Sequence, residues 1–353
     1  MAGGGTGGHV MPLLAVAREL RARGHQSVFF GTARGLEAKL VPAAGFPLEW
    51  LDIGGWNRVS PAQRLQTLFQ LPVSLWQASR ALARRRVRAV FSLGGYVAGP
   101  VMLAALWARL PVVVMEPNAI PGAAHRWFAR YVARALVSFP EAVRYFPPER
   151  TEISGLPVRA EFFALPPKPA GEILSVLITG GSQGSRTLNR AARDAWPLLA
   201  GQPVRLIHQT GPAAAAEMAA AFAASGLAGA VHAFLEDMPA AFAAADLIVS
   251  RAGAGAVAEI AAAGKPSILI PFPFAADDHQ RRNAEALAAP GAARTFPDAA
   301  WTGERFAHEI LDLAAHREEL ARMSAAVRAF ARPGAAARAA DVLEELARRG
   351  GRP

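Results

Sequence analysis

The sequence predicts an α/β protein of two domains, each a parallel β-sheet covered by helices on both faces. Short β-branched or aromatic runs alternate with longer helical stretches: SVFF (27–30), AVFSL (89–93), VVVM (112–115), ALVSF (135–139), SVLITG (175–180), VRLIHQ (204–209), DLIVS (246–250) and SILIPF (267–272). Uniformly apolar strands separated by helices mean sheets buried on both faces. The pattern restarts after a proline-dense connection without helical period at 146–173, which puts a boundary near Val158. A length of 353 residues also suits two ordinary domains.

Composition narrows the function. Apolar residues make up 52% and charged ones 19%, so disorder is expected only at Arg348–Pro353. The absence of cysteine removes disulfides, thiolate zinc sites and a cysteine nucleophile, and fits a reducing compartment. No export signal is visible at the start, and the expected location is the cytoplasm. Ala89–Ala108 carries no charge over twenty residues, but Gly94, Gly95, Gly99 and Pro100 interrupt it, so it reads as a buried strand, a turn and a helix rather than a span. The net charge of +10 rests almost wholly on arginine and favours anionic partners. No RNA-binding motif or zinc finger occurs, and nucleic acid is not expected.

The chain opens MAGGGTGGHVMP, in which Gly3, Gly5 and Gly8 match G-x-G-x-x-G. That signal is weak for a dinucleotide site, because SVFF runs into Gly31 and Thr32 and the next carboxylate is only Glu37. The alternative is a tight turn needed for packing. His9 ends the run, before a helix whose Pro12 suits the first turn. It is either a general base, worth roughly 10²- to 10⁴-fold, or a helix cap or phosphate ligand that takes no proton.

GGSQGS (180–185) follows an apolar strand and opens a helix, so its N–H groups and the positive helix end form an anion site; it lacks the lysine of an ATP-hydrolysing loop. SRAGAGAVAEIAAAGKPSILIPF (250–272) repeats the plan and sets Glu259 in the first turns of a helix, as a ribose-diol acceptor or a complement to the helix dipole. AADDHQRRNA (275–284) gathers polar groups suited to sugar hydroxyls or to helix capping. No D-x-D triplet or metal-ligand spacing of histidines occurs, so no metal or other cofactor is expected. In RLQTLFQLPVSLWQASRALARRRVR (64–88), Leu65, Leu68, Phe69, Leu75, Trp76 and Leu82 form an apolar set beside arginines at 80 and 84–86. The helix either faces the core or meets a membrane.

Taken together, GGGTGGHV, SLGGYVAGP, EPNAIPG, GLPVR, GGSQGSRTLN, FLEDM, SRAGAGAVAEIAAAGKPSILIPFP and DDHQRRNA resemble, in this order and across nearly the whole chain, the bacterial N-acetylglucosaminyltransferases that convert lipid I to lipid II in peptidoglycan synthesis. The resemblance implies the GT-B architecture, two facing Rossmann-like domains with an interdomain cleft. Residues 1–158 would form the acceptor and membrane-side domain, 159–332 the UDP-sugar domain, and 333–353 a helix packing back on the first. It implies an inverting, metal-independent transfer from UDP-N-acetylglucosamine to the muramoyl hydroxyl of lipid I, a polyprenyl-diphosphate muramoyl pentapeptide. The enzyme would be peripheral on the cytoplasmic face of the cell membrane, with cell-wall and division proteins as further partners.

Position by position, the resemblance makes His9 the base, with Thr6, Gly7 and Gly8 in its turn. Tyr96 falls in the acceptor-side glycine loop and Asn118 contacts the donor sugar. Arg159 and Ser182, with Gln183 and Gly184, would hold the diphosphate and Glu259 the ribose. Leu235 and Met238 would grip uracil with Arg251 close by, and His279 and Gln280 would read sugar hydroxyls. Phe69, Val73 and Trp76 align with the membrane-facing patch. Ala252, Ala256 and Ala258 stand where hydroxyl residues are frequent, and PGAAHR (121–126) replaces a Leu-Thr-Asn segment, which implies weaker UDP affinity. Family members carry a strand of about six apolar residues before the first glycine turn, where this sequence has Met1 and Ala2. The expectation is a late-assigned start or a fragment, a missing first strand, and a poorly held His9 turn. A UDP-N-acetylglucosamine 2-epimerase would share the architecture without needing EPNAIPG or a lipid-facing helix. A non-catalytic homologue that binds UDP-sugar or the division machinery is the third alternative.

Overall fold

The computed structural model describes residues 1–5, 7–54, 61–169 and 171–349, the side chains of 61–66 and 68 excepted. They form two compact units, Met1–Val158 with Gly334–Pro353, and Arg159–Pro333. The first holds a seven-stranded sheet of β1 (Ala2–Gly3), β2 (Phe29–Gly31), β3 (Leu48–Trp50), β4 (Val90–Gly94), β5 (Val112–Glu116), β6 (Arg134–Val137) and β7 (Thr151–Ile153), in the order β3-β2-β1-β4-β5-β6-β7. The second holds six strands, β8 (Leu174–Thr179), β9 (Val204–Gln209), β10 (Ala228–His232), β11 (Leu247–Ser250), β12 (Ser267–Leu269) and β13 (Arg294–Thr295), in the order β10-β9-β8-β11-β12-β13. All pairs are parallel. Each sheet winds outward both ways from its first strand, so the order reverses at β1/β4 and at β8/β11. In such sheets ligands bind beyond the carboxyl ends of the strands at that reversal.

The eight strands read from the sequence are present, and Ala89–Ala108 resolves into β4 and a helix, Ala98–Trp107. Among the described residues no helix is long and apolar enough to cross a membrane. The expectation of a missing first strand is corrected. Ala2 pairs with Phe30 on one side and Ser92 on the other, and the Met1 ammonium donates to the Val28 carbonyl at 2.7 Å. Two residues thus hold the central position, with Ala2 fully buried. A cavity of about 360 Å³ lies at the opposite, amino-terminal end of this sheet from the glycine turns, lined by Met1, Val28, Val90 and Leu343 among others.

The helix after β1 spans Gly7–Ala22, so His9 lies inside its first turn and Pro12 falls in the second, not the first. Gly7, Gly8 and His9 are already helical, ahead of the start expected after His9, and Pro12 forfeits one helical N–H. Helix Arg186–Leu199 shows how sequence sets packing: Ser185 caps it by accepting from Leu188 N–H, and Leu188, Ala191, Ala192, Ala195, Trp196 and Leu199 make one buried face. That face meets helix Gly303–Ala315, capped by Thr302. The contact is close at Gly303, where a β-carbon would come within 2.5 Å of Asp194 Cβ.

The proline-dense connection contributes an edge strand, β7, and a short helix, Ala160–Phe163. The last helix, Ala335–Arg349, belongs to the first unit, where Arg23 bonds Asp341 at 2.6 Å and Arg338 bonds Glu152 at 2.6 and 2.7 Å. Arg348 and Arg349 close this helix rather than beginning a disordered tail. Residues 350–353 lie outside the described residues.

Candidate active site

In the first unit two glycine turns meet at the reversal of strand order. Gly94, which ends β4, and Gly95 after it adopt φ of +88° and +82°, which favours glycine. A β-carbon on Gly95 would sit 3.1 Å from the Gly4 carbonyl and 3.7 Å from His9 Nδ1, and one on Gly5 would meet the Tyr96 ring at 3.1 Å. His9, Tyr96 and the first glycine turn therefore form one half-buried cluster. His9 Nδ1 lies 3.2 Å from the Gly4 carbonyl oxygen, which can only accept, so Nδ1 carries the hydrogen and Nε2 is the nitrogen able to take a proton. Thr6 lies outside the described residues. Gly7 and Gly8 open the helix, Gly8 exposed.

A buried network behind this cluster escaped sequence reasoning. His125 Nδ1 bonds Glu116 Oε2 at 2.8 Å, and its Nε2 faces Ser92 Oγ at 3.3 Å. Ser92 in turn accepts from Gly94 N–H at 3.1 Å. All three side chains are buried. The other Glu116 oxygen accepts the Asn118 backbone N–H at 3.0 Å and its side-chain amide at 3.2 Å. One carboxylate thus ties Asn118 to the Gly94 turn, and His125 is the chain's own occupant of the departing PGAAHR segment. The legible signal is a carboxylate closing an apolar run, VVVME, at the ligand end of an interior strand.

The second unit opens instead. A cavity of about 1110 Å³ is lined by the turn glycines Gly180, Gly181 and Gly184, by Arg186, Arg190, Arg193 and Arg251, and by Phe272, Gln280 and Asp298 among others. Gly184 stands at φ +72°, where a β-carbon would come 1.8 Å from the Thr210 carbonyl oxygen. Ser182 and Gln183 are exposed on this turn. Gln209, also missed, is its anchor: its amide donates to Gly181 O at 2.9 Å and its oxygen accepts Leu235 N–H at 2.8 Å. Leu235 and Met238 are half-buried on the segment so tethered.

Of the expected donor-site residues, Gly184, Arg251 and Gln280 line this cavity, whereas Arg159, Ser182, Gln183, Leu235, Met238, Glu259 and His279 are not among its walls. Arg251 is held by Asp298 and by the Ile270 carbonyl at 3.1 Å, with Phe272 beneath it. Gln280 accepts Phe272 N–H at 3.0 Å, and His279 Nδ1 lies 2.7 Å from the Ala276 carbonyl. Glu259 is in the second turn of helix Ala254–Ala263, beyond the reach of the helix dipole. Burial raises its pKa to about 7, against the pull of the Arg159 charge. Ala252 is fully buried, so only Ala256, in the cavity wall, and half-buried Ala258 sit where a hydroxyl would meet solvent.

On the first unit, helix Pro61–Arg84 turns Ala78, Ala81 and Leu82 inward and leaves Phe69, Val73 and Trp76 at 74%, 49% and 60% exposure. The spacing 69, 73, 76, 80 is one outward helical stripe, with Arg80 over the Trp76 ring. Phe69 and Trp76 therefore do not face the core. Arg84 and Arg85 pair with Glu49. The side chains of Leu65 and Leu68 lie outside the described residues.

Residues 1–137 match the glycosyltransferase family 28 N-terminal domain and residues 175–345 its C-terminal domain. A UDP-N-acetylglucosamine–N-acetylmuramyl-(pentapeptide) pyrophosphoryl-undecaprenol N-acetylglucosamine transferase from Solibacter usitatus is 61% identical over 350 residues, covering 99% of this chain and 96% of that one. Its counterpart from Anaeromyxobacter dehalogenans is 42% identical over 355 residues, covering 99% and 93%. Among solved structures, Acinetobacter baumannii MurG superposes with a TM-score of 0.82 at 32% identity over 97% of both chains. A UDP-GlcNAc 2-epimerase from Neisseria meningitidis gives 0.67 at 12% identity over 97% of this chain and 98% of that one, a likeness of fold alone.

Proposed function

Since the chain belongs to the family of UDP-N-acetylglucosamine–N-acetylmuramyl-(pentapeptide) pyrophosphoryl-undecaprenol N-acetylglucosamine transferases, we propose how its two units divide the work. The reaction is transfer of N-acetylglucosamine from UDP-N-acetylglucosamine to lipid I, giving lipid II. The observation that carries the division is the contrast between a glycine turn opening on a large cavity and one closed around a histidine. The second unit, Arg159–Pro333, takes the donor, and the first, Met1–Val158 with the last helix, takes the acceptor.

The departing UDP gains negative charge as the glycosidic bond breaks. Gly181 and Gly184 N–H are already given to Thr179 Oγ1 and the Gly181 carbonyl at 3.2 and 3.0 Å. The backbone N–H groups where helix Arg186–Leu199 opens, with Ser182 and Arg159, meet that charge without a metal, and such preorganised donors supply the largest catalytic contribution in many enzymes. Arg186 and Arg190, in the first turns of the helix behind the turn, add to it. Glu259 accepts the ribose diol, Leu235 and Met238 flank the uracil beside Arg251, and His279 and Gln280 read the sugar. His9 removes the proton from the muramoyl hydroxyl, which displaces UDP directly and inverts the anomeric carbon. Tyr96 lines the acceptor side and Asn118 contacts the donor sugar.

The protein is peripheral on the cytoplasmic face of the membrane. Phe69, Val73 and Trp76 enter the inner leaflet and Arg80 meets anionic headgroups, worth about 1 kcal/mol. Arg84 and Arg85, engaged by Glu49, contribute little there.

Incubation with radiolabelled UDP-N-acetylglucosamine and a short-chain lipid I analogue tests the whole reading. Labelled lipid is expected, and lost in Glu259→Ala and His9→Ala. Free epimerised nucleotide would mark an epimerase, and bound ligand without product a non-catalytic homologue.

A further inference from the structure

The first glycine turn is closed by a side chain of the chain itself. Gly5 N–H donates to Glu37 Oε2 at 2.8 Å, while Thr32 N–H and the Thr32 hydroxyl reach Oε1 at 3.1 and 3.3 Å. Glu37 is fully buried. A β-carbon on Gly4, Gly31 or Gly35 would come within 2.6, 2.4 or 2.1 Å of a Glu37 atom, so these glycines make the space it fills. Three converging donors are what an acceptor-only carboxylate requires.

The Gly5 N–H and the Gly4 carbonyl are opposite ends of one peptide group. Its N–H points at Glu37 and its oxygen accepts from His9 Nδ1 at 3.2 Å. Gly5, at φ +91°, supplies the backbone setting that turns this peptide between the two side chains. We propose that Glu37 is a positioning residue that acts on His9 through the Gly4–Gly5 peptide, a carboxylate–peptide–imidazole relay.

The carboxylate draws on the N–H and polarises the amide, whose oxygen becomes a stronger acceptor for Nδ1–H. Hydrogen bonds in series strengthen one another by roughly 10–30% each. The relay fixes the imidazole in the Nδ1–H tautomer and raises the proton affinity of Nε2. Other charged or titratable groups face this cluster. Arg34 lies near Tyr96, and the Tyr96 hydroxyl shares the Thr32 hydroxyl at 2.9 Å. The His125–Glu116 pair stands behind Gly94. Of these, only Glu37 is joined to His9 by the Gly4–Gly5 peptide.

The inference deepens the reading of His9 as the base, and its test stands apart from turnover. In full-length protein with ¹⁵N-labelled histidine, NMR should report His9 as the Nδ1–H tautomer. Glu37→Gln should lower the His9 pKa by about half to one unit, a three- to tenfold loss of proton affinity. The acid limb of kcat should move by the same interval with KM for UDP-N-acetylglucosamine unchanged. An Nε2–H tautomer in the unaltered protein overturns the relay, and that measurement decides even where Glu37→Gln does not fold. An unmoved His9 titration in folded Glu37→Gln overturns it equally. Full turnover in His9→Ala would instead sink the base reading, with the titration still deciding the relay.

Discussion

The turn after β1 and the turn after β8 share one plan, strand into glycines into helix, at the point where each sheet reverses its order. Their contents differ. In the first unit Glu37, Tyr96 and His9 occupy the space, Glu37 and His9 binding the Gly4–Gly5 peptide, whereas the second turn faces a cavity of about 1110 Å³ rimmed by arginines. The glycines serve different ends accordingly: in one turn they admit side chains of the same protein, whereas in the other, where Thr179 Oγ1 and the Gly181 carbonyl take the Gly181 and Gly184 N–H groups at 3.2 and 3.0 Å, they shape a turn that leaves its front open to a guest. A glycine-rich turn at a helix start can therefore serve as a phosphate cradle only where no side chain of the protein fills the space before it.

Four experiments bear on this contrast. The largest effect is expected at His9: His9→Ala should lower kcat by roughly 10²- to 10⁴-fold with calorimetric UDP binding intact, and weakened UDP binding would mean the first turn serves the nucleotide after all. Next comes Gly184→Ala, whose β-carbon would lie 1.8 Å from a carbonyl oxygen at φ +72°. It should cost roughly 2–3 kcal/mol and abolish the heat of UDP binding. Gly255→Ala, with open space around it, is the control and should be silent.

Third, Phe69→Asp with Trp76→Asp should reduce co-sedimentation with anionic liposomes by roughly tenfold or more per side chain. Unchanged binding would return that stripe to an ordinary solvent face. The smallest effect concerns pH. The Glu259 carboxyl titrates near 7 in the folded protein against an ordinary 4.5, and only its ionised form accepts two ribose hydroxyls. Affinity for UDP-N-acetylglucosamine should rise as pH rises through 7, up to about tenfold per unit below it, and be flat in Glu259→Gln. In the unliganded protein, the folded state between pH 4.5 and 7 holds a proton that the unfolded chain has lost. This contribution to stability is present below 4.5 and lost as pH climbs through 7, which denaturant titration of wild type against Glu259→Gln would detect.

The interior strands were legible because burial on both faces demands unbroken apolar runs such as VVVM and SVLITG. Four of the five unread strands, β3, β7, β10 and β13, are the outer edges of the two sheets. Residues such as Glu49, Thr151, Glu152 and Arg294 leave those short, half-solvated strands without apolar signal. The fifth, β1, is two small residues and carries no pattern at all. Among site groups, His9 and Gln280 were marked by residue type beside a glycine turn or at a helix start, and Arg251 by the family resemblance alone. Glu37, Glu116, His125 and Gln209 were not, since each works by reaching another segment, as Gln209 does across 26 residues to Leu235. What could have singled out Glu116 and Gln209 is position, a polar residue ending an apolar strand on the ligand side of a parallel sheet.

The helix Ala335–Arg349 has a bearing on biosynthesis. It belongs to the first unit, burying Ala339, Val342 and Leu343, although 175 residues of the second unit, Arg159–Pro333, separate it from Val158. As the polypeptide leaves the ribosome, the later-made unit emerges in one piece and has all its sequence at hand. The earlier-made one must wait, with an apolar flank uncovered, until translation reaches its last turns.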